Sequence, residues 1–244
     1  MVMSALFPET FVINSDHRMD RWSEMIGRCK TCGLNVTRVP AIIDNPGWRG
    51  CGRSHISCIE IAKAKGLPWI LIMEDDAIFT VESIARFRSL LSYLWSNRDK
   101  WERFNGGPTI TKKSVMSVMD YTHRLLYVRG LTSHFHLIHA GVYDLLLAWH
   151  PDRDLMIDKM FFELETRFRT VFNNIATVPH IAVQSSSSAS DIQRKIVDYS
   201  AMFAWSERKM RECLNGQDSE SSASILARMN LKWRRTSRLA KLPD

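Results

Sequence analysis

The chain has 244 residues, 45% of them hydrophobic and 24% charged, with a formal net charge of +7. This is enough apolar material for one sizeable core, and it excludes an intrinsically disordered chain. No window approaches the roughly 18 uncharged apolar residues of a transmembrane helix. Five cysteines at irregular spacing (Cys29, Cys32, Cys51, Cys58, Cys213) exclude a paired disulfide framework and fit a reducing compartment. Cys29 and Cys32 form a lone CxxC, and a redox or zinc reading needs a context that is not visible. Met1 to Pro8 has neither a basic n-region nor an apolar stretch of signal-peptide length, so the expected location is cytosolic.

The first element in the chain is a short apolar strand, Phe11-Val12-Ile13-Asn14. Ser15 or Asp16 can cap a helix after it, in which Met19, Trp22, Met25, Ile26 and Cys29 recur at helical spacing until Gly33. Leu34 to Val39 reads as a second strand closed by Pro40. Residues 41–52 read as a Gly- and Pro-rich loop, and Ser54 as the cap of a helix with Ile56, Ile59 and Ala62 on its apolar stripe. Trp69 to Met73 is a continuous apolar run, as expected of a strand buried on both faces. A helix over about Val81–Trp95, capped by Thr80, follows.

The later elements alternate less cleanly. Strands are expected at Trp101–Phe104, Leu125–Val128, Phe135–Ile138, Phe168–Phe172 and His180–Val183. Helices are expected at Ala140–Trp149, Asp154–Arg167 and about Asp191–Leu214. The alternation of strand and helix predicts an α/β fold with a mostly parallel central sheet flanked by helices. Residues 1–214 are expected to form one catalytic domain, and 215–244 a polar linker and basic tail.

The chemistry concentrates at Glu74-Asp75-Asp76, at the end of the apolar run. Adjacent carboxylates repel, and burial raises their pKa unless cations or donors compensate. A divalent ion such as Mg²⁺ or Mn²⁺ is the simplest compensation, because hard oxygen ligands suit it. Strand alternation sets Glu74 and Asp76 to one side and Asp75 to the other. Asp76, furthest out, is the first candidate ligand, Glu74 its partner, and Asp75 a brace. The blander alternative is that the acids favour the N-terminus of the next helix, although Thr80 already caps it. Segments after three strand ends (14–18, 40–44 and 74–76) converge on one rim, where open α/β sheets bind ligands.

The positive charge is concentrated at one end. Residues 225–244 carry Arg228, Lys232, Arg234, Arg235, Arg238 and Lys241 against Asp244. This is a solvated tail or, in the sharper reading, a peripheral anchor on an anionic membrane, with Trp233 and leucines dipping in. No RNA-binding or helix-turn-helix signature is present, so nucleic acid is not an expected partner.

Four ordered segments resemble glycosyltransferase family 25, the lipopolysaccharide and collagen galactosyltransferase type. They are Phe11 to Asn14 with Arg18 and Arg21, Val39-Pro40-Ala41 with Asp44, Gly50-Cys51-Gly52-Arg53-Ser54-His55, and Ile70 to Phe79. Weaker resemblance continues through Leu137 to Leu146, Asp158, Pro179, Gln184 and Ser190-Asp191-Ile192. Ser15 departs from the family's usual leucine. The resemblance implies a GT-A-like, Rossmann-like fold that uses a nucleotide-sugar donor, a UDP-sugar, with Mn²⁺ or Mg²⁺, and inverts the anomeric carbon while passing the sugar to a glycan or glycoconjugate. It assigns donor contacts to Val12, Asn14, Arg18, Pro40, Ala41, Asp44, Arg53, Ser54, His55, Asp75 and Gln184. Arg18 can equally be a surface arginine, and His55 a packing residue. Asp158, in an apolar context, is the leading catalytic base, with Asp191 competing for that role or serving as a helix cap. His180 is a further candidate metal ligand. The alternatives are an inactive binding protein on the same fold, or another metal-dependent phosphate-handling enzyme; GxxxxGK[ST] is absent.

Overall fold

The computed structural model describes residues 7–111, 114, 116–154, 156–167, 172–185 and 198–216. Asp191 and the basic stretch 225–244 lie outside the described residues. In chain order the first half comprises β1 (Glu9–Asn14), α1 (Met19–Thr31), β2 (Thr37–Pro40), α2 (Gly47–Ala64), β3 (Trp69–Glu74), β4 (Ala77–Ile78) and α3 (Val81–Ser96). The second half comprises β5 (Arg103–Asn105), β6 (Met116–Asp120), β7 (Leu125–Val128), β8 (Phe135–His139), α4 (Tyr143–Leu147), α5 (Ile157–Arg167), β9 (Asn174–Thr177), β10 (Val183–Gln184) and α6 (Ser200–Leu214).

Eight strands form one sheet in the order β2-β1-β3-β8-β5-β9-β7-β6. Both β2 and β3 run parallel to β1, and β9 runs parallel to β5. The strands β8 and β7 are antiparallel to both of their neighbours. The remaining six strands therefore share one direction in a mixed sheet, with the α/β character that the strand–helix alternation predicts. A two-stranded antiparallel ribbon of β4 and β10 stands apart from it.

Period-two alternation distributes the core over both faces. Val12, Trp69, Leu71 and Met73 face α1 and α3, where Met25, Cys29, Phe87 and Leu94 cover them. Phe11, Ile13, Ile70 and Ile72 face α2, α4 and α5. Val12 is fully buried in this core and absent from the cleft lining, because alternation turns Ile13 rather than Val12 toward that side. Cys29 is likewise core, its thiol pushed up to about 12, mainly by burial, and all five cysteines are free thiols. Among the described residues no helix is long and apolar enough to cross a membrane.

Several elements differ from the sequence expectation for local reasons. The second strand starts at Thr37, because Gly33 turns left-handed (φ +63°) and Leu34 N donates to Cys29 O, leaving Leu34 as helix exit. The helix expected from Ala140 to Trp149 is a 3-10 turn followed by the short α4, with the His139 side chain capping Gly141 N. Neither β6 nor β9 was expected, and both belong to the far half of the sheet, where strands are short. The expected strand 168–172 lies outside the described residues up to 171. Thr80 does cap α3, through a reciprocal capping box with Ser83.

The largest correction concerns α2. It begins at Gly47, so Ser54 and His55 lie two turns inside the helix rather than at its N-terminus. Gly50 and Gly52 read as loop residues, yet they are helical and serve close approach. A Cβ on Gly50 would meet Ile42 O at 2.2 Å, and one on Gly52 would meet the Trp149 ring at 2.4 Å. Gly50 thus lets the helix lie directly against the 41–46 segment. Gly50→Ala is expected to destabilise the fold by about 1–3 kcal/mol through overpacking, read as a lower urea midpoint with an unchanged slope.

Candidate functional site

A cleft of about 650 Å³ opens beyond the carboxyl ends of β1 and β3. Ile13, Ser15, Glu74, Asp75 and Asp76 form its sheet side, the loop from Ala41 to Pro46 and the start of α2 form its wall, and Gln184 closes one end. The three acids diverge in environment within this small space. The strand ends at Glu74, so the alternation stops there, and all three carboxylates line the cleft.

Glu74 is held at one oxygen. Its Oε1 accepts from His55 Nε2 and from Ser133 Oγ, each at 3.1 Å. Burial pushes its pKa up, but the hydrogen bonds from His55 and Ser133 oppose it, and the net shift is downward. Asp75 accepts from Asn14 Nδ2 at 2.7 Å and from Arg21 Nη1 at 3.2 Å. Burial still leaves its pKa raised. Asp76 is the least compensated. Gln184 Nε2 donates to its Oδ2 at 3.0 Å, and Arg21 stands 3.9 Å away. Its Oδ1 is buried without a hydrogen-bond partner. Burial, then repulsion from Glu74, raises its pKa to about 7. An unmade hydrogen bond at a buried acceptor costs about 1–3 kcal/mol, so this oxygen is poised for a ligand.

The fold explains how distant residues arrive. Because β8 is antiparallel to β3, its beginning lies beside the end of β3, where Glu74 N donates to His134 O at 3.0 Å. That contact sets Ser133 next to Glu74. The β4–β10 ribbon pairs Gln184 with Ala77, which brings its amide to Asp76. Half-buried Asp158, in the first turn of α5, has its pKa raised by burial and by the charge of Glu74, with Ser133, Arg103 and His55 opposing. It is absent from the cleft lining, and its Oδ1 is buried without a partner.

Other sequence candidates separate. Ala41, Asp44, Ser54, His55, Asp75 and Gln184 line the cleft. Asn14 sits beneath it, with Arg38 Nε donating to its Oδ1 at 2.8 Å. Arg18 turns to Asp20 at 3.1 Å, and Arg21, one helical turn on, reaches the acids instead. Pro40 ends β2 exposed, with its neighbour Ala41 facing the cleft. Arg53 points outward and pairs with Asp44 at 3.2 Å, so its contact with the cleft is indirect. His180 is absent from the cleft lining. It packs edge-on to Phe203 of α6, and its backbone N donates to Glu207 at 3.0 Å, so β10 presents Gln184 to the acids rather than His180. Sequence reasoning missed Ser133, His136 and Arg103. Polar residues recurring in and just before the apolar strand β8 were the available signal for Ser133 and His136.

The ligand atoms of Cys51, His55 and Glu74 lie within 4.8 Å of one another.

A cleft at the carboxyl ends of a mostly co-directional sheet, with buried acids at its centre, defines an α/β enzyme with a ligand site at the usual rim. Residues 46–126, which include the wall helix and all three acids, match the profile of glycosyltransferase family 25 (LPS biosynthesis protein). Over this stretch, about a third of the chain, the sequence is similar to that glycosyltransferase family. No curated protein matches it. Among solved structures it is similar to a glycosyltransferase involved in glycosylation of the major capsid of PBCV-1 (9% identity, covering 65% of this chain and 67% of that one, TM-score 0.35). It is also similar to a putative glucose-1-phosphate thymidylyltransferase from Bacillus anthracis (11% identity, 83% and 76%, TM-score 0.42) and to an inositol-1-phosphate CTP transferase from T. maritima (12%, 85% and 77%, TM-score 0.38). These likenesses are distant.

Neutral histidines buried around the cleft set an acid limit to stability. His180 is pushed down to about 4, mainly by burial, with Glu207 opposing and His134 reinforcing. Burial also lowers His134 and His136. Between the ordinary histidine value near 6.5 and about 4 these side chains bind more protons in the unfolded chain, so their contribution to stability is full above that window and falls as pH drops through it, while Asp76 and Glu102, raised to about 7, shift stability the other way. Thermal melts should show the wild-type midpoint falling relative to that of His180→Gln between pH 7 and pH 4.5.

Proposed function

We propose that the cleft binds the diphosphate of a nucleotide-sugar donor, a UDP-sugar, together with Mn²⁺ or Mg²⁺, and that the enzyme transfers the sugar with inversion to a glycan or glycoconjugate hydroxyl. The observation that carries this reading is Asp76 Oδ1, buried and unpartnered among three carboxylates that face the same cleft. Hard oxygens with uncompensated charge fit a hard divalent cation. Asp76 and Glu74 would hold it, and the bound ion would neutralise charge developing on the departing diphosphate.

The chain's own groups account for the remaining work. Asn14 and Arg21 keep Asp75 occupied, so that it braces the turn. The start of α2, uncapped by any side chain and lining the cleft at Gly47, offers backbone N–H groups to phosphate oxygens. Asp158 takes the proton from the acceptor hydroxyl as its oxygen bonds to the anomeric carbon, while the bond from that carbon to the diphosphate breaks. A carboxyl with a raised pKa suits a general base working near neutrality.

The test is UDP release from a panel of UDP-sugars, after chelation and after adding back Mn²⁺ or Mg²⁺, for wild type and Asp76→Asn. Metal-dependent release is expected in wild type, and a loss of about 10²–10³-fold in the variant. The variant's metal-free melting temperature should be equal or higher, since a crowded negative charge is gone. An Asp76→Asn enzyme as active as wild type under both conditions would remove the metal assignment.

A further inference from the structure

Arg103 and His136 are both at 0% exposure, and the transfer chemistry above uses neither. They begin a chain of contacts that ends at Glu74. Arg103 Nε donates to His136 Nδ1 at 3.3 Å, His136 Nε2 faces His55 Nδ1 at 3.1 Å, and His55 Nε2 faces Glu74 Oε1 at 3.1 Å.

Proton positions along this chain follow from its first member. A guanidinium donates and never accepts. His136 Nδ1 is therefore an acceptor, and its ring proton sits on Nε2. His55 Nδ1 accepts that proton, which leaves the proton of His55 on Nε2, aimed at the carboxylate. The reverse direction would set an N–H of His136 against the N–H of Arg103.

The near end is held firmly. Phe161 stacks on the guanidinium at 4.1 Å and meets His136 edge-on at 5.5 Å. Thr132 O accepts from Arg103 Nη2, and also from Asn105 Nδ2 at 2.9 Å. Thr132 has a φ of +81°, which is costly for a β-branched residue, and the fold tolerates it where that carbonyl meets Arg103.

We infer that Arg103 and His136 are positioning residues for the sugar-transfer site: acting through His55, and with Ser133, they pin Glu74 Oε1 and leave Oε2 as that carboxylate's one oxygen for a ligand. The inference rests on the donor-site reading of the cleft. It also removes His55 from the metal ligands, although Cys51, His55 and Glu74 lie within 4.8 Å of one another, because the lone pair an ion would need on Nε2 is occupied by a proton.

The experiment is long-range ¹H–¹⁵N NMR of the full chain labelled at histidine nitrogen, with and without Mg²⁺, together with UDP release by two variants. His136→Leu removes the donor to His55, and His136→Gln keeps an N–H in its place. Wild-type His55 and His136 should both be neutral Nε2–H tautomers, with and without Mg²⁺. His136→Leu should lose the single tautomer at His55 and slow release about 10- to 100-fold, mainly in kcat. His136→Gln should restore both at a similar melting temperature. A His55 that carries its proton on Nδ1, or one that loses its Nε2 proton to Mg²⁺, would overturn the inference. So would a Leu variant that keeps tautomer and rate, or Gln and Leu variants that slow alike with their melting temperatures. If wild type releases UDP from no donor, the transfer reading fails, and the tautomers alone decide the inference.

Discussion

Three carboxylates packed at the end of a buried strand repel one another, and the surrounding structure divides the compensation unevenly. Glu74 takes two hydrogen bonds on one oxygen. Asp75 takes an amide and a guanidinium. Asp76 receives one amide and keeps a bare, buried oxygen. Two of the three are therefore anchored and one is left unsatisfied. The unsatisfied group is the one expected where a ligand completes a site, since a native core seldom leaves a buried acceptor without a partner.

That division depends on strand direction. A purely parallel sheet would have carried the beginning of β8 to the opposite rim. Being antiparallel, β8 delivers Ser133 to the carboxylates, and His136 lies opposite Ile72 in β3. Its other neighbour, β5, pairs Arg103 with Ile138, two residues along β8 from His136 and on the same face of the sheet. On the same face α5 carries Asp158 and, one turn later, Phe161, which stacks on Arg103. The candidate base and the clamp on the positioning arginine thus ride on one helix.

Parts of this arrangement were legible because they are local. The apolar run into Glu74-Asp75-Asp76 marks a buried strand and its rim, and Thr80 marks the next helix. Asp158 stood out as an acid in apolar surroundings. Other parts misled because one residue type serves two purposes. Gly50 and Gly52 read as loop formers by backbone freedom, whereas the structure uses their missing side chains for contact with Ile42 and Trp149. Ser54 read as a cap, whereas it sits mid-helix, where its Oγ donates to Gly50 O and receives Ile42 N. Arg18 and Arg21 were indistinguishable until the pitch of α1 was known.

The sequence by itself determined the α/β class, the position of the acids at a strand end and the family 25 resemblance, because each rests on residues adjacent or periodic in the chain. Only the tertiary structure decided how the three acids differ. Their partners, Asn14, Arg21, His55, Ser133 and Gln184, come from up to 108 residues away in the chain. Which partner meets which carboxylate is set by strand order and direction, and no local pattern records these.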